Sequence, residues 1–179
     1  MPDVKRYKVT EPWLDTKCGL GEAPFWEKDT NILRFVDIVK QEIHTVDLSK
    51  GPSSHKATKL DISVGTTADI EGNDDEFVFG GKYGYGIMNK KTFEYRWIAK
   101  YWNEEEVKNG KDRRMRGNDG AVDTKGRYFV GTMNDPLVTE VSKEGESELC
   151  KLSGLLPRLT TIARYLVPSR PRPQASPYY

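Results

Sequence analysis

Asp123-Thr124-Lys125-Gly126-Arg127-Tyr128-Phe129-Val130-Gly131-Thr132 is a polar turn that runs straight into a short apolar strand. The same unit occurs twice upstream. Lys28-Asp29-Thr30-Asn31 feeds Ile32-Leu33-Arg34-Phe35-Val36-Asp37-Ile38, and Gly72-Asn73-Asp74-Asp75-Glu76 feeds Phe77-Val78-Phe79-Gly80-Gly81. Turn chemistry followed by β-branched and aromatic residues is the signature of a strand entered from a hairpin. Leu33, Phe77 and Tyr128 mark the three units at intervals of 44 and 51 residues. Between them, residues 42–48 alternate apolar and polar, as a half-exposed strand does, and residues 85–88 and 94–98 read as shorter strands. Repeats of about 40–50 residues with several short strands and no long helix suggest β-propeller blades. A β-sandwich with irregular loops is the other all-β reading of this pattern. Only residues 103–110, with Glu104, Glu105 and Glu106 in a first turn, are expected to be helical.

Composition narrows the class further. The 179 residues carry 28 Lys and Arg against 27 Asp and Glu, a net charge of +1, which argues against a strongly basic nucleic-acid binder. Aromatic residues reach 11%, with four Trp and nine Tyr, so a packed core is expected despite the polar mean hydropathy of −0.69. No apolar run approaches the roughly 18 residues of a membrane span. The N-terminal Met1-Pro2-Asp3-Val4-Lys5-Arg6 lacks the apolar centre of a secretory signal. Cys18 and Cys150 have the spacing of neither a disulfide framework nor a zinc site. A soluble cytoplasmic protein is expected.

From residue 149 the character changes. Residues 149–179 hold no acid, five basic residues and five of the ten prolines. Setting those five charges against the overall +1 leaves the first 148 residues at −4. Proline supplies no ladder donor, so residues 154–179 read as a disordered tail and residues 1–153 as the folded part.

Several motif matches fail on counting. Asp69, Glu71, Asn73 and Asp75 alternate like a calcium loop, but Asp74 stands where glycine is needed and Gly80 where a bidentate Glu is needed. A polar hairpin turn is the better reading. Gly19-Leu20-Gly21 meets Pro24 where a dinucleotide loop wants its third glycine, and no phosphate loop or nucleophile elbow is present. His44 lies in the alternating stretch and reads as a surface residue. The basic run Lys108, Lys111, Arg113, Arg114, Arg116 is diluted by acids and has no interleaved aromatics, so a solvated loop is expected there.

Two further segments stand out together: Cys18-Gly19-Leu20-Gly21-Glu22-Ala23-Pro24-Phe25-Trp26, and Arg116-Gly117-Asn118-Asp119-Gly120-Ala121-Val122-Asp123. With residues 33–38 and 126–133 they resemble the senescence marker protein, gluconolactonase and luciferin-regenerating enzyme family, over about residues 18–152. That resemblance implies an all-β, six-bladed propeller of which about three blades are present. It implies a metal-dependent sugar lactone hydrolase, with a divalent cation (calcium or zinc) as cofactor and a small-molecule lactone as substrate. Glu22 matches the family's first metal ligand, and Arg116 and Asn118 match its substrate-holding residues. A hard cation suits carboxylate oxygen, and Arg and Asn suit a polyhydroxyl ring.

Each has a structural alternative. Glu22 could be a solvated turn acid, Asn118-Asp119-Gly120 is a good generic turn, and Trp26 reads as core packing rather than substrate contact. The family's remaining metal ligands, an Asn and an Asp that is also its base, come from later blades with no match in this sequence, so no catalytic residue is assigned. Pro136 stands where the family has a substrate-binding acid, with Asp135 beside it. These departures favour a truncated member, inactive on its own and prone to self-association through open strand edges. The alternative is a non-catalytic interaction module. Neither nucleic acid nor membrane is expected as a partner.

Overall fold

The computed structural model describes residues 5–138 and 149–152 of the chain. It divides into two compact units, Met1–Ser63 and Val64–Tyr179. The tail expected at residues 154–179 lies outside the described residues.

In the first unit, strands Gly21–Glu27 (β1), Ile32–Asp37 (β2), Glu42–Asp47 (β3) and Lys56–Lys59 (β4) form one antiparallel sheet in chain order. The connections are tight, with Asn31 and Gln41 in the left-handed region (φ 54° at each) that such turns demand and that Asn tolerates well. Val36, Ile43 and Val46 are fully buried, as the apolar runs predict. Arg34 is buried with them. Its guanidinium pairs with Glu27 and stacks 4.8 Å from the Phe25 ring centre, which supplies the partners a buried charge requires. Two expectations fail here. Residues 42–48 are more buried than a half-exposed strand, because the inward face of β3 and much of its reverse are covered. Trp26 is 46% exposed and donates from Nε1 to Asn31 Oδ1 at 3.0 Å, so it braces the β1–β2 turn instead of filling the core.

In the second unit, Val64–Ile70 (β5), Asn73–Gly81 (β6), Gly84–Asn89 (β7) and Tyr95–Lys100 (β8) make a four-stranded antiparallel sheet in chain order. Glu71 and Gly72 turn β5 into β6, as the polar-hairpin reading requires. The expected helix is Glu104–Lys108 (α1), started by a capping box: Asn103 Oδ1 accepts from Glu106 N, and Glu106 Oε2 accepts from Asn103 N. A four-residue helix, Lys111–Arg114 (α2), follows. Met115–Val122 (β9), Tyr128–Asn134 (β10) and Leu149–Leu152 (β11) form a three-stranded antiparallel sheet with β10 in the middle. Val78, Tyr85 and Ile87 from one sheet and Tyr128 and Val130 from the other share a single buried cluster.

The three marker residues Leu33, Phe77 and Tyr128 fall on β2, β6 and β10, the second strand of each sheet. The first strands repeat a feature too. β1 bulges against β2 at Ala23 and Pro24, β5 against β6 at Gly65, and β9 against β10 at Asn118 and Asp119. A bulge adds one residue to one strand and re-aims the neighbouring side chains.

Candidate functional site

Two of the three site residues read from the sequence sit on β9. Arg116 is only 3% exposed, so its permanent charge must be met by fixed acceptors. Its Nη1 donates to Gly117 O at 2.9 Å and to Asn118 Oδ1 at 2.8 Å. Because guanidinium has no acceptor, this bond fixes the amide orientation: Oδ1 faces Arg116, and the two N–H donors of Asn118 form its other end. Asn118 thus lies on a strand bulge and not in the generic turn its neighbours suggested. Asp119 is exposed, and its Oδ1 accepts from Gly120 N at 2.7 Å, a local role that matches the structural reading of that residue.

The backbone behind Asn118 is held closely. A Cβ added at Gly65 would stand 2.1 Å from Asn118 O, so only glycine lets β5 and β9 approach there. Thr66 Oγ1 donates to Gly120 O at 3.2 Å alongside. The basic run divides. Lys108 and Arg113 are exposed as expected, but Lys111 and Arg116 are buried, which corrects the solvated-loop reading for these two. Lys111 Nζ bonds Glu106 Oε1 at 2.8 Å and lies 5.0 Å from the Trp102 ring centre. Asp135 is buried and committed elsewhere: Oδ2 accepts from Lys82 Nζ at 2.8 Å, and Oδ1 from Leu137 N at 3.1 Å.

Glu22 belongs to the first unit. It is exposed on β1, immediately before the bulge at which Ala23 takes φ 49°. Among the described residues, the acidic, His and Cys side chains that converge as three ligands are Cys18, Asp37 and His44, with ligand atoms within 4.8 Å of one another. Glu22 is not among them. One exposed carboxylate does not make a site for a hard cation, which takes six or more oxygens. The described residues therefore do not make a site for a hard cation at Glu22.

The Cys18, Asp37 and His44 cluster escaped the sequence reading, which tested Cys–Cys spacing and placed His44 on the surface. His44 is in fact 2% exposed. Burial, and next the neighbouring His55, push its pKa down, against Glu42 and Asp37, which raise it. Burial alone would raise the pKa of Asp37. The backbone N–H groups of Lys40, Gly19 and Leu20 outweigh that and hold it below the ordinary carboxylate value.

Residues 20–164 match the SMP-30/Gluconolactonase/LRE-like region. The chain belongs to that family. It is 30% identical to regucalcin of Homo sapiens over 145 residues, covering 78% of this chain and 43% of that protein. It is 29% identical to pentonolactonase XacC of Haloferax volcanii over 121 residues, covering 67% and 36%. A calcium-binding protein, regucalcin, from Agrobacterium tumefaciens superposes with a TM-score of 0.59 at 20% identity, over 75% of this chain and 43% of that one. A luciferin-regenerating enzyme superposes with a TM-score of 0.53 at 26% identity, over 65% and 37%. The fold is all-β, part of a propeller of the six-bladed type, with three blade sheets among the described residues. The chain spans about 40% of the length of the curated relatives it matches. Among the described residues no helix is long and apolar enough to cross a membrane.

Proposed function

We propose that this chain carries the substrate-holding side of a sugar lactone hydrolase, with Arg116 and Asn118 as the residues that grip lactone oxygens. The Arg116–Asn118 bond, inside the family-matched region, carries this reading. It leaves a buried guanidinium and an oriented amide side by side, donors suited to a carbonyl oxygen that gains charge as water adds to it. Relatives whose names include pentonolactonase and putative sugar lactone lactonase support the substrate class. Calcium or zinc is the cofactor the resemblance implies, with Glu22 its first ligand, and no catalytic step is assigned to it because Glu22 is not part of a converging ligand group among the described residues.

The test uses gluconolactone hydrolysis, with and without calcium or zinc. The 179-residue chain is expected to add little to the spontaneous rate. Joined to the later blades of a regucalcin-type relative, it should gain metal-dependent turnover. In that chimera, Asn118→Ala or Arg116→Ala should lower kcat/KM by about 100-fold, the usual scale for an oriented oxyanion donor. A folded, active chimera indifferent to both substitutions would refute the assignment.

A further inference from the structure

We infer that Cys18, Asp37 and His44 form a binding site for a borderline-soft divalent ion of the zinc type, separate from Glu22 and independent of the lactonase reading. The sheet register builds it. Asp37 on β2 stands opposite Glu42 on β3 and Gly21 on β1, and His44 lies two residues beyond Glu42. Cross-strand partners share a face and strand residues alternate faces, so Asp37, Glu42 and His44 all project to one side of the sheet.

Gly21 occupies the matching place on β1 without a side chain, and Cys18 folds into the space. A Cβ at Gly21 would meet Cys18 Cβ at 3.3 Å and Sγ at 3.5 Å. Asp37 then clamps the loop that carries the cysteine: its Oδ2 accepts from Gly19 N at 2.7 Å, and its Oδ1 from Leu20 N at 3.1 Å. With Lys40 N also on Oδ1, three of the carboxylate's four lone-pair directions are taken, and the fourth, on Oδ2, is left for a ligand.

The sulfur–nitrogen distance is close to that of a tetrahedral ion. Zn–S of about 2.3 Å and Zn–N of about 2.0–2.1 Å place sulfur and nitrogen about 3.5–3.6 Å apart. Cys18 Sγ and His44 Nε2 are 3.9 Å apart, which a shift of a few tenths of an ångström closes. Glu42 Oε2 lies 3.4 Å from the same nitrogen, outside the converging three, and adds negative charge beside the site. A surrounding shell is present as well. His44 Nδ1 is 2.8 Å from His55 Nε2, the bond that turns the Nε2 lone pair toward the cysteine when Nδ1 is the donor. Phe35, His44 and His55 stack with ring centres 4.7 and 5.1 Å apart, so the ligating ring is held in orientation. Thiolate with imidazole and carboxylate selects zinc or cobalt over calcium or magnesium, which prefer oxygen alone.

The full chain, freed of metal by a chelator, is titrated with Co2+ and read by sulfur-to-cobalt charge-transfer absorption. One equivalent should produce the band, and Zn2+ should bleach it. Cys18→Ser, which keeps the packing volume, should remove it. His55→Ala should weaken the apparent affinity by 10- to 100-fold, as loss of a supporting partner does. Glu22→Gln and Cys150→Ser should leave the band intact. No band in the unsubstituted chain at saturating Co2+ overturns the site, as does a band that survives Cys18→Ser or is lost with Glu22→Gln or Cys150→Ser. Asp37 is not substituted, since removing its loop clamp would collapse the site whether or not a metal binds.

Discussion

Gly65→Ala probes the packing that sets Asn118 in place. The added Cβ would lie 2.1 Å from Asn118 O and 2.8 Å from Asn118 C, both backbone atoms that cannot swing aside. Reaching ordinary contact at 3.4 Å requires β5 and β9 to part by about 1.3 Å. That movement stretches the Thr66 Oγ1 to Gly120 O bond beyond hydrogen-bond range. It also opens the contact in which Val130 packs against Gly80, where a Cβ would already meet Val130 at 2.8 Å. Overpacking of this kind costs about 1–3 kcal/mol and the lost hydrogen bond about 1 kcal/mol, so about 3 kcal/mol is expected in total. Over a chain of this size that corresponds to a fall in Tm of about 6–12 °C. Gly131→Ala is the control, since among the described residues its Cβ would meet nothing nearer than Asp119 O at 3.7 Å, and it should be neutral or slightly stabilising. Thermal and urea unfolding followed by tryptophan fluorescence reads both. If Gly65→Ala costs no more than Gly131→Ala, the account of the β5–β9 contact is wrong.

Other outcomes follow from charged groups in the second unit. Arg127, bonding from its side chain and then its backbone, and next Lys125 N hold the Asp123 carboxyl at about 2, against an ordinary 3.8. Because the folded value is the lower one, this stabilisation is full above about pH 4 and is lost as pH falls through about 2. Circular dichroism melts across that range should show Asp123→Asn losing part of the acid-dependent slope, and an unchanged slope would contradict the turn's role. Asp135→Asn leaves the Lys82 ammonium, 18% exposed, without its carboxylate and should cost about 3 kcal/mol in urea unfolding. The double substitution Lys82→Met with Asp135→Leu should recover most of that, and equal losses for the single and double variants would show that charge burial is not the cause.

Much of the fold was legible along the chain. β2, β6 and β10 announce themselves because turn residues and a following apolar run are local properties, decided by conformational preference and by burial on both faces. Helix α1 is legible for the same reason, since its capping box uses residues three apart. Arg116 and Asn118 could be singled out because their segment resembles the family's, and the structure joins the two by a direct bond. What that segment does not reveal is the bulge that sets Asn118 apart from the regular pleat, because the extra residue on β9 is visible only against its partner β10.

Composition, periodicity and turn chemistry therefore determined the all-β class and the positions of the blade strands, and the resemblance to the family marked the segment that holds Arg116 and Asn118. The tertiary structure alone decided which side chains meet. His44 reads as a surface residue because it belongs to an alternating stretch, and it is buried because β3 lies between β2 and β4 under Phe35 and His55. Cys18, Asp37 and His44 come from a loop and two strands, and Lys82 reaches Asp135 across 53 positions. A strand's pattern states that one face differs from the other. Which partner stands opposite each residue depends on register, and a slip of one residue would reverse every such pairing.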